Sequence, residues 1–141
     1  MGQLYDQGRP KALPGSITPR ARWTAGGDIA KAAAAIDGDI ATAAVTSHNP
    51  YDNATIDIDL GKVCVFNFVV IDHGVNEFGF CRQVTLLTSV DNKRFTQVYT
   101  GCGTRRLTNL CLLKPVLARY IRIQASIPGP QPWSVAEVYV K

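Results

Sequence analysis

Residues 35–42 read AIDGDIAT: the carboxylates of Asp37 and Asp39 stand around Gly38, and the hydroxyl of Thr42 follows. Oxygen donors so closely spaced suit a hard cation, which takes about six to eight of them, and the glycine allows a bend tight enough to converge them. The same residues also make an ordinary Asx-type turn. An EF-hand is not present, because no D-x-D-x-D-G run with its distant glutamate occurs. A third carboxylate, Glu137 in AEVYV, sits in an apolar run where burying it unpaired would be costly. Catalysis finds little support. His48 and His73 lie near acids, but there is no G-x-S-x-G nucleophile motif and no local pairing of a base with a nucleophile.

Zinc is no better served. Cys64, Cys81, Cys102 and Cys111 show no C-x-x-C spacing, and only two histidines accompany them. Cys102 and Cys111 bracket the basic segment CGTRRLTNLC and could be bridged across two strands, or the thiols stay free and buried. The net charge of +4 is uneven: residues 1–31 hold five basic and two acidic side chains, residues 32–80 one and seven, residues 81–141 nine and two. Apart from Lys93-Arg94 and Arg105-Arg106, the basic residues fall singly within apparent strands. They do not interleave with aromatics on one face, so nucleic acid is not the expected partner. The modest excess permits an anionic one.

These groups need a scaffold, and 141 residues with 46% hydrophobic content suffice for one packed domain. No apolar run reaches the ~18 residues of a membrane span, and the N-terminus lacks the apolar core of a signal peptide. Residues 1–20, with Pro10, Pro14 and Pro19, read as an irregular lead-in or linker, which leaves 21–141 as the domain. TIDIDL (55–60) alternates with period two, the mark of a half-buried strand. VCVFNFVVI (63–71), QVTLLTSV (83–90), FTQVYT (95–100), RLTNLCLL (106–113), ARYIRIQA (118–125) and WSVAEVYV (133–140) continue the series. Only Ile29–Ile36, through its alanines, has helical propensity, enough for one or two turns. About eight short strands without long helices predict an all-β antiparallel sandwich or jelly roll.

Taken in order, AIDGD..T, IDIDLG (56–61), RQVTLLTSVDNKRFTQV (82–98), ARYIRI (118–123) and WSVAEVYV resemble the discoidin, or coagulation factor V/VIII type C, family. Its bacterial members are often called family 32 carbohydrate-binding modules. The resemblance spans roughly residues 30–140. It implies a jelly-roll β-sandwich of the galactose-binding type, a non-catalytic binding role, an extracellular or cell-surface setting and a place in a larger multidomain protein. It also implies a structural calcium ion. Carried over by position, the ligands are the carboxylates of Asp37 and Glu137, the carbonyls of Ala34, Asp39 and Ala136, and the hydroxyl or carbonyl of Thr42. One departure stands out: where the family usually has a tryptophan, two residues after the threonine, this chain has Ala44. Either another side chain fills that space or the neighbouring loop is rebuilt.

Binding residues in such domains lie on loops at one rim and vary between members, so the loops are judged by their chemistry. Sugars offer hydroxyls in fixed directions and an apolar C–H face, which calls for planar polar partners beside an aromatic ring. DHGVNEFGF (72–80) holds His73, Asn76, Glu77, Phe78 and Phe80 within nine residues and is the leading candidate. Arg105 and Arg106 in GTRRLTN and His48 in SHNPYDN complete the expected ligand set. Each also has a plainer reading: Phe78 and Phe80 packed on the core edge, His73 structural, the arginines a solvated loop tip. A glycan or glycoconjugate is the expected partner. Two alternatives remain, a protein-binding domain and a phospholipid-surface domain, although the acidic stretch 37–77 weighs against membrane insertion.

Overall fold

The computed structural model describes residues 5–6, 9–10, 15–47 and 50–141. Strands β1 (Tyr5–Asp6) and β2 (Arg9–Pro10) pair with each other. The remaining strands are β3 (Thr24–Gly27), β4 (Ala44–Val45), β5 (Ala54–Asp72), β6 (Gln83–Ser89), β7 (Thr96–Cys102), β8 (Leu107–Ile127), β9 (Ser134–Val135) and β10 (Glu137–Val140). The main sheet runs β10-β5-β8-β6-β7, with β3 also on β5, and every pairing is antiparallel. The all-β sandwich expected from period-two patterning is the fold observed. Among the described residues no helix is long and apolar enough to cross a membrane.

Two strands are longer than the sequence suggests. The runs at 55–60 and 63–71 join through Gly61-Lys62 into β5, and those at 106–113 and 118–125 join through Lys114-Pro115 into β8. Each bends, and their ladder carries register shifts between Asp59 and Cys64 and between Phe66 and Phe68. Such irregularities let a strand leave one layer and enter the other. The halves around Ile56 and Ile123 lie with β3, β6 and β7, whereas those around Val70 and Asn109 lie with β10. Burial records the change of face. In β5 the inward residues are Ile56, Ile58, Leu60, Cys64 and Phe66, then Val69 and Ile71; in β8 they are Leu110 and Leu112, then Ile121 and Ile123.

The alanine run forms a 3-10 turn, Ala32–Ile36, that tucks Ala32, Ala35 and Ile36 inside. It begins after Lys31 at a φ of 57° and is followed by Gly38 at 80°, which leaves no room for a longer helix. The last apolar run splits at Ala136: β9 pairs with β4 and β10 with β5. Ordered packing begins earlier than residue 21. Thr18 is buried, and its carbonyl accepts a hydrogen bond from Trp23 Nε1 at 3.1 Å.

All four cysteines are free. Cys102 stands opposite Gln83 and Cys111 opposite Phe68, so the segment between them is not a simple hairpin that would bring them together. Cys64 and Cys81 are buried and Cys102 and Cys111 exposed. Burial pushes the Cys81 thiol up to about 12, which keeps it protonated and unreactive.

Candidate functional site

Two loops meet at one rim. The first joins β5 to β6 and the second joins β7 to β8. Arg106 fastens them: its N–H donates to the Glu77 carbonyl at 2.7 Å, and its carbonyl accepts from His73 N–H at 2.8 Å. These bonds hold Arg106 at a φ of 69°, a left-handed conformation an arginine rarely adopts unaided. Within the first loop, Gly79 N–H donates to the Asn76 carbonyl at 2.9 Å, while the Gly79 carbonyl accepts from Ser134 N–H at 2.8 Å.

The side chains then converge. Arg105 Nε donates to Glu77 Oε1 at 2.7 Å, and its guanidinium lies 4.7 Å from the centroid of the Phe78 ring. Phe78 is 47% exposed, so it does not pack away on the core edge, whereas Phe80 is half-buried. Asn76 and Glu77 are half-buried and Arg105 and Arg106 exposed. A carboxylate, a guanidinium, an amide and an open ring thus share one rim. His48 and Asn49 lie outside the described residues.

His73 is a correction to the expected contact set. It is 1% exposed, and both ring nitrogens are engaged by the protein. Nδ1 faces the Ser134 carbonyl at 2.7 Å and must donate, which leaves Nε2 to accept from the Thr108 hydroxyl at 2.8 Å. Burial lowers its pKa despite the Ser134 carbonyl, so the neutral ring is favoured. Lacking a free face, His73 supports the rim from beneath rather than touching a ligand.

Below the rim is the corner of Asp37 and Glu137. Gly74 links the two levels: a Cβ there would lie 2.7 Å from Ala136 Cβ and 3.0 Å from the Ile40 carbonyl, so only glycine permits this approach. Glu137 is 1% exposed, and its Oε1 accepts from Gly38 N–H at 3.1 Å. Its Oε2 forms an ion pair with Arg20 but has no hydrogen-bond partner. Arg20 Nη1 instead donates to the Val138 carbonyl at 2.7 Å, and the guanidinium lies between the rings of Trp23 and Tyr139. Burial raises the Glu137 pKa; Arg20 and the Gly38 N–H only partly offset it, and Asp37 and Asp72 add to the rise. Asp37 accepts from Thr42 Oγ1 and, at 2.9 Å, from Asp39 N–H, and those bonds lower its pKa. The Asp39 carbonyl accepts from Thr42 Oγ1 at 3.0 Å. Side-chain oxygens of Asp37, Thr42 and Glu137 are therefore gathered around one short turn, and the buried Glu137 Oε2 is met by the Arg20 guanidinium alone. Carboxylate and hydroxyl oxygens are donors that a hard cation takes, but among the described residues no group of three or more His, Cys, Asp or Glu side chains is placed to hold a metal.

Arg20 had no signal in the sequence, because its partner lies more than a hundred residues away and its neighbours are Pro19 and Ala21. A tryptophan does stand across the ladder from the Ala44 region, at Trp133. Ala44 opposes Val135, and Thr46 exchanges 3.0 Å bonds with Trp133. The indole, fully buried, therefore lies diagonally across the ladder from Ala44.

Residues 16–138 match the model of the F5/8 type C domain. No curated protein sequence matches the chain. Among solved structures, the family 32 carbohydrate-binding module of NanJ from Clostridium perfringens, in complex with galactose, is similar at a TM-score of 0.77 and 24% identity. That alignment covers 89% of this chain and 97% of the module. A family 32 module, CpGH89CBM32-5 from the same organism, in complex with GalNAc-β-1,3-galactose, gives 0.78 at 22% identity, covering 89% and 99%. The corresponding module of AlyQ, in complex with 4,5-unsaturated mannuronic acid, gives 0.70 at 22% identity, covering 84% and 93%. Fold, motif order and family model agree: the chain belongs to the F5/8 type C domain family.

Proposed function

We propose that this domain is a non-catalytic carbohydrate-binding module that holds a glycan at the rim formed by Asn76, Glu77, Phe78, Arg105 and Arg106. One observation carries the reading: an exposed aromatic ring stands beside an oriented carboxylate–guanidinium pair on loops fastened by backbone bonds. The Phe78 ring, partly covered by Arg105 but 47% exposed, suits the C–H face of a sugar, and the polar groups suit its hydroxyls. The sugars bound by the related modules support the class. Such a module contributes by raising the local concentration of an attached enzyme at its substrate, in an extracellular or cell-surface setting.

Calcium belongs to the same proposal. Asp37 and Glu137 carboxylates, the carbonyls of Ala34, Asp39 and Ala136, and Thr42 would hold it. The ion would supply positive charge to the buried Glu137 oxygen and steady the turn on which Gly74 rests.

Glycan-array screening followed by calorimetry on Glu77→Ala and Phe78→Ala tests the rim. Each variant should weaken glycan binding by roughly tenfold, the scale of one lost aromatic or charged contact. Wild-type affinity in both would overturn it. A phospholipid-surface role has one observation in its favour, because Val75, at 89% exposure, shares the first loop with Phe78, and Ile40, at 50%, has its carbonyl against Gly74 of that loop. Sedimentation with phosphatidylserine vesicles, in the absence of glycan binding, would select that role instead.

A further inference from the structure

The outer face of the sheet carries a second set of recognition groups, away from the rim. A groove of about 460 Å³ runs over β3, β5 and β8 and is closed by the β6–β7 turn. That volume lies within the ~300–1,000 Å³ of small-ligand sites. β6 starts at Gln83, next to the rim loop, and ends at Ser89 beside the groove, so its seven residues separate the two places by about 20 Å.

Register aligns the groups. Gly26 opposes Asp57 and Asp57 opposes Arg122; one row on, Thr24 opposes Asp59 and Asp59 opposes Tyr120. Asp57 Oδ1 accepts from Arg122 Nε at 2.8 Å, and Asp59 accepts both Arg119 donors, at 2.9 and 3.1 Å. The Arg122 guanidinium covers Phe95 at 4.1 Å, and that of Arg119 lies 5.1 Å from the Tyr120 ring. None of these polar side chains is sealed, since 27–39% of each is exposed. Every carboxylate therefore keeps lone pairs, and every guanidinium keeps N–H donors, for a further partner. On the β3 side the wall is low: a Cβ at Gly26 would meet nothing within 4 Å.

The lining carries Asp57, Asp59 and Arg122, and Arg119, just outside it, is paired with Asp59, so each carboxylate is matched by a guanidinium and neither an anion nor a cation is favoured. Exposed ion pairs add little to stability, so folding does not account for two of them fixed in adjacent rows beside half-exposed rings. What matches the set is a neutral ligand rich in hydroxyls with an apolar ring face. We infer that this groove is a second carbohydrate subsite, which takes a neutral oligosaccharide across β3, β5 and β8. The inference rests on the reading of the domain as glycan-binding, but it concerns a different surface.

Gly26→Ile is the test variant, because it fills the groove from an open position on a strand and leaves the core untouched. Amide NMR spectra of the wild type, Gly26→Ile and Phe78→Ala would be recorded with neutral tetrasaccharides of galactose, glucose and N-acetylglucosamine, and with a sulfated tetrasaccharide. At least one neutral tetrasaccharide should shift the amides of Gly26, Tyr120 and Arg122. Those shifts should persist in Phe78→Ala and need roughly tenfold more ligand in Gly26→Ile. Rim shifts with an unmoved groove would overturn the second subsite while leaving the rim reading intact. Groove shifts with the sulfated probe alone would overturn the neutral assignment. No shift at either surface would overturn both readings together.

Discussion

Glu137 with Arg20 and Asp59 with Arg119 are the same chemical pair in two settings, and they behave in opposite ways. At the closed corner the carboxylate is 1% exposed, and burial raises its pKa in spite of the guanidinium beside it. On the open sheet face the hydrogen bond from Arg119 lowers the Asp59 pKa, and burial only trims the effect. Water, more than the partner, decides whether such a pair is a liability or a handle. The corner pair is also one-sided, since Arg20 spends Nη1 on the Val138 carbonyl, whereas Arg119 meets both oxygens of Asp59. A corner so built has use for a further positive charge; the face does not.

The contrast breaks first at Arg20. Removing one partner of a buried pair leaves an uncompensated charge, so Arg20→Ala in chelator should cost about 3 kcal/mol in urea denaturation. A cost below about 1 kcal/mol would mean that the corner does not depend on its cation. Saturating calcium should restore part of the loss, because the ion would bind the same oxygen.

Next comes calcium itself. Held at about 100 times its dissociation constant, it should add about 2.7 kcal/mol. The sign with pH follows from Glu137. Its carboxyl, raised above the ordinary 4.5, contributes stability below pH 4.5 that is lost as pH rises through the raised folded value. The proposed calcium would bind the carboxylate form, so its stabilisation should grow over that same window. Melting with and without calcium from about pH 4 to 8 checks this; an increment flat with pH would contradict it.

The smallest effect is expected on the face. A double-mutant cycle of Asp59→Asn and Arg119→Gln should give a coupling under about 1 kcal/mol. A coupling as large as the corner's would erase the difference between the two pairs.

Much of this was legible in the chain. Strict alternation in TIDIDL announced a sheet face, and a glutamate inside AEVYV announced a buried carboxylate, as observed. Local patterns can do that because their period matches the element. What they cannot convey is who sits opposite. Arg20 follows Pro19 in a stretch that reads as lead-in, and only the folded chain brings it to Glu137. His73 looked like a loop ligand because neither Ser134 nor Thr108, which enclose it, is near in sequence. The joins at Gly61-Lys62 and Lys114-Pro115 carry turn formers, so each reads as the end of a strand when it is a bend within one.

Those bends also dictate where the chain can tolerate insertions and deletions. Removing one residue from a straight part of β5 would turn every downstream side chain inside out as far as Asp72, sending Val69 and Ile71 to solvent. Near Gly61–Val63 and Leu113–Pro115 the ladder is already out of step and the side chains face water, so a length change there can be absorbed locally. Natural length variation in this lineage should collect at those two elbows and spare the straight arms.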